Sequence, residues 1–552
     1  MRSINLHIYR EKPISFFRLS HMWWLNAWRG KPPGKTILFA ALLVGLLMSV
    51  PVIYILYRAA LSDTDVWVRL WNTRIPYLLT NTLVLTTTTT CATVILAVPL
   101  AWLVTRSDLP GRKTYKWLLA LPMAIPPYIG ALAYIFLFGF DGVLKTVVAS
   151  LAGGALALPD IYSLWGTTLV LSLFTFPYTF LLVAAALETM SASCEEAARA
   201  CGYSSWSVFW SATLPMLRPA IGAGSLLVAL YVLSDFGVVA MLRYDTFTSA
   251  IYTQLVGRYD RSAAAVLGLI LVAITLAAVW LEWRSRAKAR YYQNRGSHGT
   301  APVVPLGSWR YLALAWVWLV LSASVIFPLL FLIAMTYQGL VQGAIGQEFW
   351  RYTLNSFTTA AAGATLASLL ALPVAYLSAR HDSFPGKLFA RISYAGYALP
   401  GVVIALGIVF VASQFLPMLY GTPVLLTAAY VVRFMPQGLQ AQESALALIS
   451  PNLEEAAQTC GYSRWEALWR ITFPLIRPGL IAGWILIFLN SMKELPATLL
   501  LRPAGFDTLS VRIWIEASEG FYTLAAPAAL LLVAVSLIPL RYLAVIKHER
   551  RG

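Results

Sequence analysis

The chain has 552 residues, of which 59% are hydrophobic and only 12% charged, and its mean hydropathy is +0.70. These figures exclude a disordered chain, and they exclude a water-soluble one, which would carry far more charged surface. The net charge of +17 would suggest nucleic acid on a soluble protein; on a chain embedded in lipid it marks Lys and Arg held on the cytoplasmic side, and no nucleic-acid partner is expected.

A spanning helix needs about 20 mostly apolar residues. Residues 1–36 form a basic cytoplasmic segment, too long and too charged for a signal peptide. Six apolar runs follow, at 37–57, 82–104, 117–138, 163–187, 220–241 and 263–281, and together they make a first half over 37–281. Residues 282–311 are a basic, breaker-rich linker containing Arg284, Arg286, Lys288, Arg290, Arg295 and Arg310. Six more runs, at 312–335, 355–377, 392–413, 423–442, 479–500 and 525–545, make a second half over 312–545, and 546–552 form a short tail. The runs are too long and too uniformly apolar for barrel strands, so the expected class is an all-α integral membrane protein of about twelve spanning helices. With the N-terminus inside, cytoplasmic segments hold about three times the Lys and Arg of external ones, which places both termini in the cytoplasm.

Little points to metal or redox chemistry. Cys91, Cys194, Cys201 and Cys460 offer no disulfide framework, and His7, His21, His298, His381 and His548 all lie outside the apolar runs.

The halves are copies. Residues 195–219 and 454–478 are identical at 14 of 25 positions with a constant offset of 259, which also relates Pro177 to Pro436 and Asp235 to Glu494. Asn81 to Pro99 and Asn355 to Pro373 repeat the same spacing. Chance similarity between apolar helices does not account for this, because the best match lies in a polar loop. Copies of six spans run in the same direction, so a pseudo-two-fold axis along the membrane normal is expected, with a pathway between the halves.

The matching loops, 188–219 and 443–478, face the cytoplasm in this topology. Capping boxes are expected at Ser193 with Glu196 and at Asn452 with Glu455. Glu195, Glu196, Glu454 and Glu455 fall in a first helical turn, where carboxylates suit the helix dipole. Ala197, Ala198, Ala456 and Ala457 are small enough to let another surface approach, and Gly202 and Gly461 suit a left-handed helix end. Trp206 with Trp210 and Trp465 with Trp469 share a face of the following stretch, and Pro215 and Pro474 are expected to break the chain before the next span. Each loop thus reads as a helix-turn-helix lying along the membrane, with acidic and small residues outward, and two copies suit a two-fold partner.

At these residues the chain resembles the ABC importer permeases. The Glu-Ala-Ala, Gly and Leu-Pro pattern runs Glu196-Ala197-Ala198, Gly202, Leu214-Pro215 in the first copy. In the second it runs Glu455-Ala456-Ala457, Gly461, Ile471, Phe473-Pro474; Ala212 and Phe473 depart from the usual residues but stay apolar. The resemblance covers about 37–545. It implies two tandem six-helix type I importer (MetI-like) domains whose coupling loops dock into two copies of an ABC ATPase, with a periplasmic binding protein delivering substrate at a bacterial inner membrane. It implies no catalytic residue and no cofactor in this chain, ATP and Mg being bound by the partner. Leu233-Ser234-Asp235-Phe236-Gly237 and Met492-Lys493-Glu494-Leu495-Pro496 look like the fused iron(III) permeases, while permeases for thiamine, aminoalkylphosphonates and other small solutes share the architecture.

Four ionisable residues fall inside spans: Asp235, Glu494, Arg433 and Lys493. They are the candidates for a substrate pathway, since carboxylates suit a hard cation, and equally for a scaffold of mutually cancelling charges. Asp235 and Glu494 are expected midway along spans five and eleven.

Other features carry less. Gly30-Lys31-Pro32-Pro33-Gly34-Lys35-Thr36 is one residue short of a phosphate loop and holds two prolines, so no nucleotide site is expected there. Thr86 to Thr90 are expected to bond back to carbonyls one turn earlier, and Pro122, Pro126, Pro127 and Pro400 to kink their spans. An ion-coupled secondary transporter would need no docking loops, and a membrane-embedded enzyme would need clustered nucleophiles or metal ligands that the sequence does not offer.

Overall fold

The computed structural model describes residues 34–140, 142–151, 159–190, 193–287, 303–381 and 383–549. The basic segment before Gly34, with Gly30 to Pro33 of the loop-like motif, the middle of the linker, and His7, His21 and His298 lie outside the described residues. Among the described residues nine helices are long and apolar enough to cross a membrane: Lys35–Ala60, Ile75–Arg106, Pro127–Val148, Leu164–Thr189, Trp206–Ser234, Arg261–Glu282, Trp309–Val341, Gln347–Arg380 and Trp465–Met492. The helices Phe384–Gly396 and Gly401–Phe415 add a tenth if the two count as one span. Pro423–Ala447, diluted by Arg433, Gln437, Gln440, Gln442 and Glu443, and Tyr522–Glu549 complete a helix for each of the twelve runs.

By contact the chain forms two compact units. Of the described residues, the smaller holds 34–49, Thr365–Gly396 and Met435–Leu486 and contains the loop 443–478; the larger holds those of Val50–Ala364, Tyr397–Phe434 and 487–549 and contains the loop 188–219. In the larger unit Ile75–Arg106, Leu164–Thr189 and the helix after the first loop pack through Ala97, Leu100, Ala101, Phe176, Phe180 and Leu217, all fully buried. Small residues at Ala97 and Ala101 let helix backbones come close where lipid offers no hydrophobic drive. An isolated parallel bridge between Ser107 and Val304 ties the end of the linker beside Arg106.

Proline shapes the spans differently from expectation. Pro215 and Pro474 do not break the chain: each follows a five-residue π turn, Phe209–Thr213 or Leu468–Thr472, inside a continuous helix. The physical reason is the missing proline N–H, which leaves a carbonyl one turn back without its donor; widening the turn lets Leu214 and Phe473 donate five residues back, to the carbonyls of Phe209 and Leu468. Pro328, after the π turn Ser322–Ile326, repeats the device. Pro122, Pro126, Pro127 and Pro400, by contrast, make full breaks: Pro126 and Pro400 stand just before the helices Pro127–Phe138 and Gly401–Phe415. Thr86, Thr87 and Thr88 donate to the carbonyls of Thr82, Leu83 and Val84 as their spacing predicts, but the buried hydroxyls of Thr89 and Thr90 find no hydrogen-bond partner among the described residues.

Both halves tie the second helix of the half to a distant loop in the same way. Asn81 Nδ2 donates to the Asp245 carbonyl and Asn355 Nδ2 to that of Asp507, each at 3.0 Å. One residue later, Thr82 accepts from the Phe247 N–H at 3.3 Å and Ser356 from the Leu509 N–H at 2.7 Å. These ties start the short helices Phe247–Tyr252 and Leu509–Ser518, which hydropathy alone does not reveal. Replacing Asn355 by Ala strands the Asp507 carbonyl at a cost of about 1–2 kcal/mol. The expected result is faster amide exchange in Leu509–Ser518 with exchange in Gln347–Arg380 unchanged; equal protection in both proteins would contradict the tie.

Candidate functional site

Each of the two matching loops is built from a two-turn helix, a glycine and the start of a long span. The first helix is Ser193–Ala200 and the second Asn452–Thr459. Gly202 and Gly461 follow with φ of +86° and +90°. Nothing lies within 4 Å of a Cβ placed at either, so glycine is required by backbone conformation and not by space. Tyr203 N–H bonds back to the Ala198 carbonyl at 3.2 Å and Tyr462 N–H to that of Ala457 at 3.1 Å, the same closure in both copies. Trp206 and Trp210 pack edge to face at 5.7 Å and both are exposed, as are Trp465 and Trp469.

The capping box expected at Asn452 and Glu455 does not form. Pro451 precedes the helix, no side chain caps it, and a box forms instead one helix later, where Ser463 and Glu466 each bond the other's backbone N–H at 3.3 and 2.9 Å. The side chains of Ser193 and Ala197 lie outside the described residues.

The paired glutamates also divide. Glu196 and Glu455 are exposed, but Glu195 and Glu454, expected to face outward, are 4% and 8% exposed. Neighbours on a helix point about 100° apart, so one of each pair must turn inward, and it does so onto an arginine. Glu454 accepts from Arg380 Nε at 3.0 Å, Tyr376 Oη at 2.9 Å and Thr472 Oγ1 at 3.0 Å. Glu195 accepts from Thr213 Oγ1 at 3.0 Å and lies 3.8 Å from Arg106 Nη2. Ala456 is exposed, Ala198 half-buried and Ala457 buried against the protein itself.

The intramembrane carboxylates do not sit mid-helix. Asp235 ends the helix Leu214–Ser234, and the chain resumes helix at Gly237–Met241; Glu494 stands between Phe473–Met492 and Pro496–Leu501. Gly237 and Pro496 just beyond make the break favourable. Both carboxylates cap the restarted helix: Asp235 Oδ2 accepts from Val238 N at 3.0 Å and Val239 N at 3.3 Å, and Glu494 Oε1 from Ala497 N at 3.1 Å. Their own carbonyls accept from Thr248 Oγ1 at 2.6 Å and Ser510 Oγ at 2.9 Å.

The cations are distributed unequally. Arg433 Nε meets Glu494 Oε2 at 3.0 Å, Lys493 Nζ donates to the Met123 carbonyl at 3.1 Å, and Asp235 forms no ion pair among the described residues. The rings of Phe236, next to Asp235 in sequence, Tyr252 and Trp514 cluster in tilted and edge-on contacts, with centroids 4.7–6.2 Å apart, and line a cavity of about 200 Å³ with Arg243, Tyr244 and Asp245. Among the described residues no three His, Cys, Asp or Glu side chains gather as a metal site.

Gly401 makes the Arg433–Glu494 pair possible. A Cβ there would lie 2.5 Å from Glu494 Oε1 and 2.6 Å from Arg433 Nη1. Gly401→Ala is therefore expected to cost about 1–3 kcal/mol by overpacking and to lower the melting temperature in detergent. Gly222→Ala, where a Cβ meets nothing within 4 Å, is the control and should not. Equal melting temperatures for the two variants would refute the close packing at Gly401.

Comparison with known proteins agrees with this architecture. The family described as "Binding-protein-dependent transport system inner membrane component" matches residues 93–287 and again 367–550. The Fe(3+)-transport system permease protein FbpB 2 of Haemophilus influenzae is 31% identical over 505 residues, covering 90% of this chain and 96% of that protein. The ferric transport system permease protein FbpB of Actinobacillus pleuropneumoniae is 25% identical over 75% of this chain and 63% of its own length. The sulfate transport system permease protein CysW of Escherichia coli strain K12 is 28% identical, and 91% of it matches only 46% of this chain, as expected where one half here corresponds to a whole protein there. With its two tandem matches and a relative similar over nearly its full length, this chain belongs to the family of binding-protein-dependent transport inner membrane components, as a fused pair of permease halves.

Proposed function

We propose that the chain is the membrane subunit of an ATP-driven importer and that its cargo is iron(III), handed over by a periplasmic binding protein at a bacterial inner membrane. The cargo follows from the likeness, over 90% of the chain, to a protein named as an Fe(3+)-transport permease. The mechanism rests on one observation, the doubled loop with an exposed glutamate, a left-handed glycine and a helix leading straight into a span. In this reading both termini are cytoplasmic, and one copy of an ATPase seats on each loop, at Glu196 and Gly202 and at Glu455 and Gly461. ATP and Mg belong to the ATPase, and this chain performs no covalent chemistry. Closure of the ATPases draws the loops together and rocks the helices from outward to inward access. Asp235 guides the cation, as the intramembrane carboxylate with no ion pair among the described residues, while Glu494, Arg433 and Lys493 serve as scaffold.

Reconstitution with the ATPase in proteoliposomes tests this. Glu196→Lys with Glu455→Lys should abolish co-purification of the ATPase, because two charges of the wrong sign then face its cleft. Asp235→Asn should lower iron uptake about tenfold while the complex stays assembled, the loss expected for one charged contact. Uptake that persists after ATP is depleted with the proton gradient held would refute the ATP-driven reading, and full uptake by Asp235→Asn would remove Asp235 from the pathway.

A further inference from the structure

We infer that Arg380 and Tyr376 are positioning residues that pin the second docking loop to the helix Gln347–Arg380, and that the matching attachment of the first loop through Arg106 is looser, so that the two loops transmit force unequally. This rests on the loops being the ATPase docking elements proposed above.

The two attachments are copies of one network. Arg106 and Arg380 each end a long helix, Ile75–Arg106 and Gln347–Arg380. Each reaches the inward glutamate of its loop, and each donates to a carbonyl just before the short helix of that loop, Met190 or Ile449. A buried carboxylate needs such partners, because a charge out of water is costly unless paired and hydrogen-bonded. The docking helix therefore cannot shift without dragging the end of a spanning helix with it. The exposed glutamate next in sequence meets the ATPase, and the buried one passes the displacement on.

The second network is the tighter. Arg380 stands 3.0 Å from Glu454 and 2.8 Å from the Ile449 carbonyl, whereas Arg106 stands 3.8 Å from Glu195 and 3.3 Å from the Met190 carbonyl. A sequence difference accounts for part of this. Tyr376 gives Glu454 a further bond at 2.9 Å, and its counterpart one repeat earlier, by the offset that relates Arg106 to Arg380, is Trp102. Trp102 has no hydroxyl and packs edge to face on Phe209 at 6.2 Å. Among the described residues, Glu195 thus accepts one short bond, from Thr213, with the Arg106 guanidinium farther off, and Glu454 accepts three, two of them from one spanning helix.

The test uses the whole complex in proteoliposomes and reads two quantities: retention of the ATPase on co-purification, and stimulation of ATP hydrolysis by the iron-loaded binding protein. Arg380→Gln is expected to retain the ATPase while stimulation falls about tenfold, within the usual range of coupling between sites. Tyr376→Phe should lose stimulation in the same direction and by less. Arg106→Gln should lose less than about fivefold. Should Arg380→Gln fail to accumulate in the membrane, Tyr376→Phe and the exchanged pair Arg380→Glu with Glu454→Arg carry the test, the exchange restoring stimulation that Arg380→Glu alone removes. Normal stimulation in both Tyr376→Phe and Arg380→Gln would overturn the positioning role, and equal losses for Arg106→Gln and Arg380→Gln would overturn the inequality. An unsubstituted chain that fails to retain any ATPase would instead overturn the docking reading itself.

Discussion

A hydrocarbon layer supplies no hydrogen-bond partners, so every interruption of a spanning helix must bring its own. That constraint organises this protein. Where Asp235 and Glu494 interrupt spans, each carboxylate accepts from the N–H groups of the restarted helix, and a hydroxyl, from Thr248 or Ser510, fills the carbonyl of the same residue. Where Pro215, Pro328 and Pro474 remove a donor, a π turn moves the bond one residue back. The residues that look functional at first sight are thus in part the cost of breaking a helix in lipid. Function can use only what is left over, and at Glu494 the cap and Arg433 leave little.

The backbone ties recur between halves with small shifts of register. Asn81, Thr82 and Arg106 match Asn355, Ser356 and Arg380 at one offset; Glu195, Thr213 and Asp235 match Glu454, Thr472 and Glu494 at another; Asp245, Phe247 and Thr248 match Asp507, Leu509 and Ser510 at a third. The segments between these blocks differ in length between the halves. The ties hold main-chain groups, and a main-chain group needs its partner whatever the neighbouring side chains become.

Much of this was legible in the residues. Apolar run lengths marked a spanning helix for each of the twelve runs, because lipid thickness sets them, and Gly202 and Gly461 announced left-handed turns because little else adopts that backbone. The inward turn of Glu195 and Glu454 was not legible. Two adjacent glutamates in a first turn are equivalent until their partner is known, and that partner lies in another helix, 89 residues away for Glu195 and 74 for Glu454. A signal did exist: an arginine closes the second helix of each half at the same repeat offset, a needless coincidence for a charge that only faces headgroups. The breaks at Asp235 and Glu494 were hidden because a hydropathy window runs over a single charge, although Gly237 and Pro496, two residues on, mark the places where helix stops being favoured.

Fusion of the halves explains why the intramembrane cations are unpaired by symmetry. By the offset that matches the carboxylates, Arg433 corresponds to Phe174 and Lys493 to Ser234. Phe174 is fully buried in its half, so an apolar ring stands there where the second half places a guanidinium. In a dimer of identical subunits each position occurs twice, and adopting Arg433 and Lys493 would set four cations against two carboxylates. A single chain removes that restriction. It can neutralise Glu494 with Arg433 while Asp235 forms no ion pair among the described residues, and it can hold the loop 443–478 with Tyr376 while Trp102 packs against the loop 188–219. The repeat preserved the ties that hold the fold, and the fusion allowed the charges to differ between its two copies.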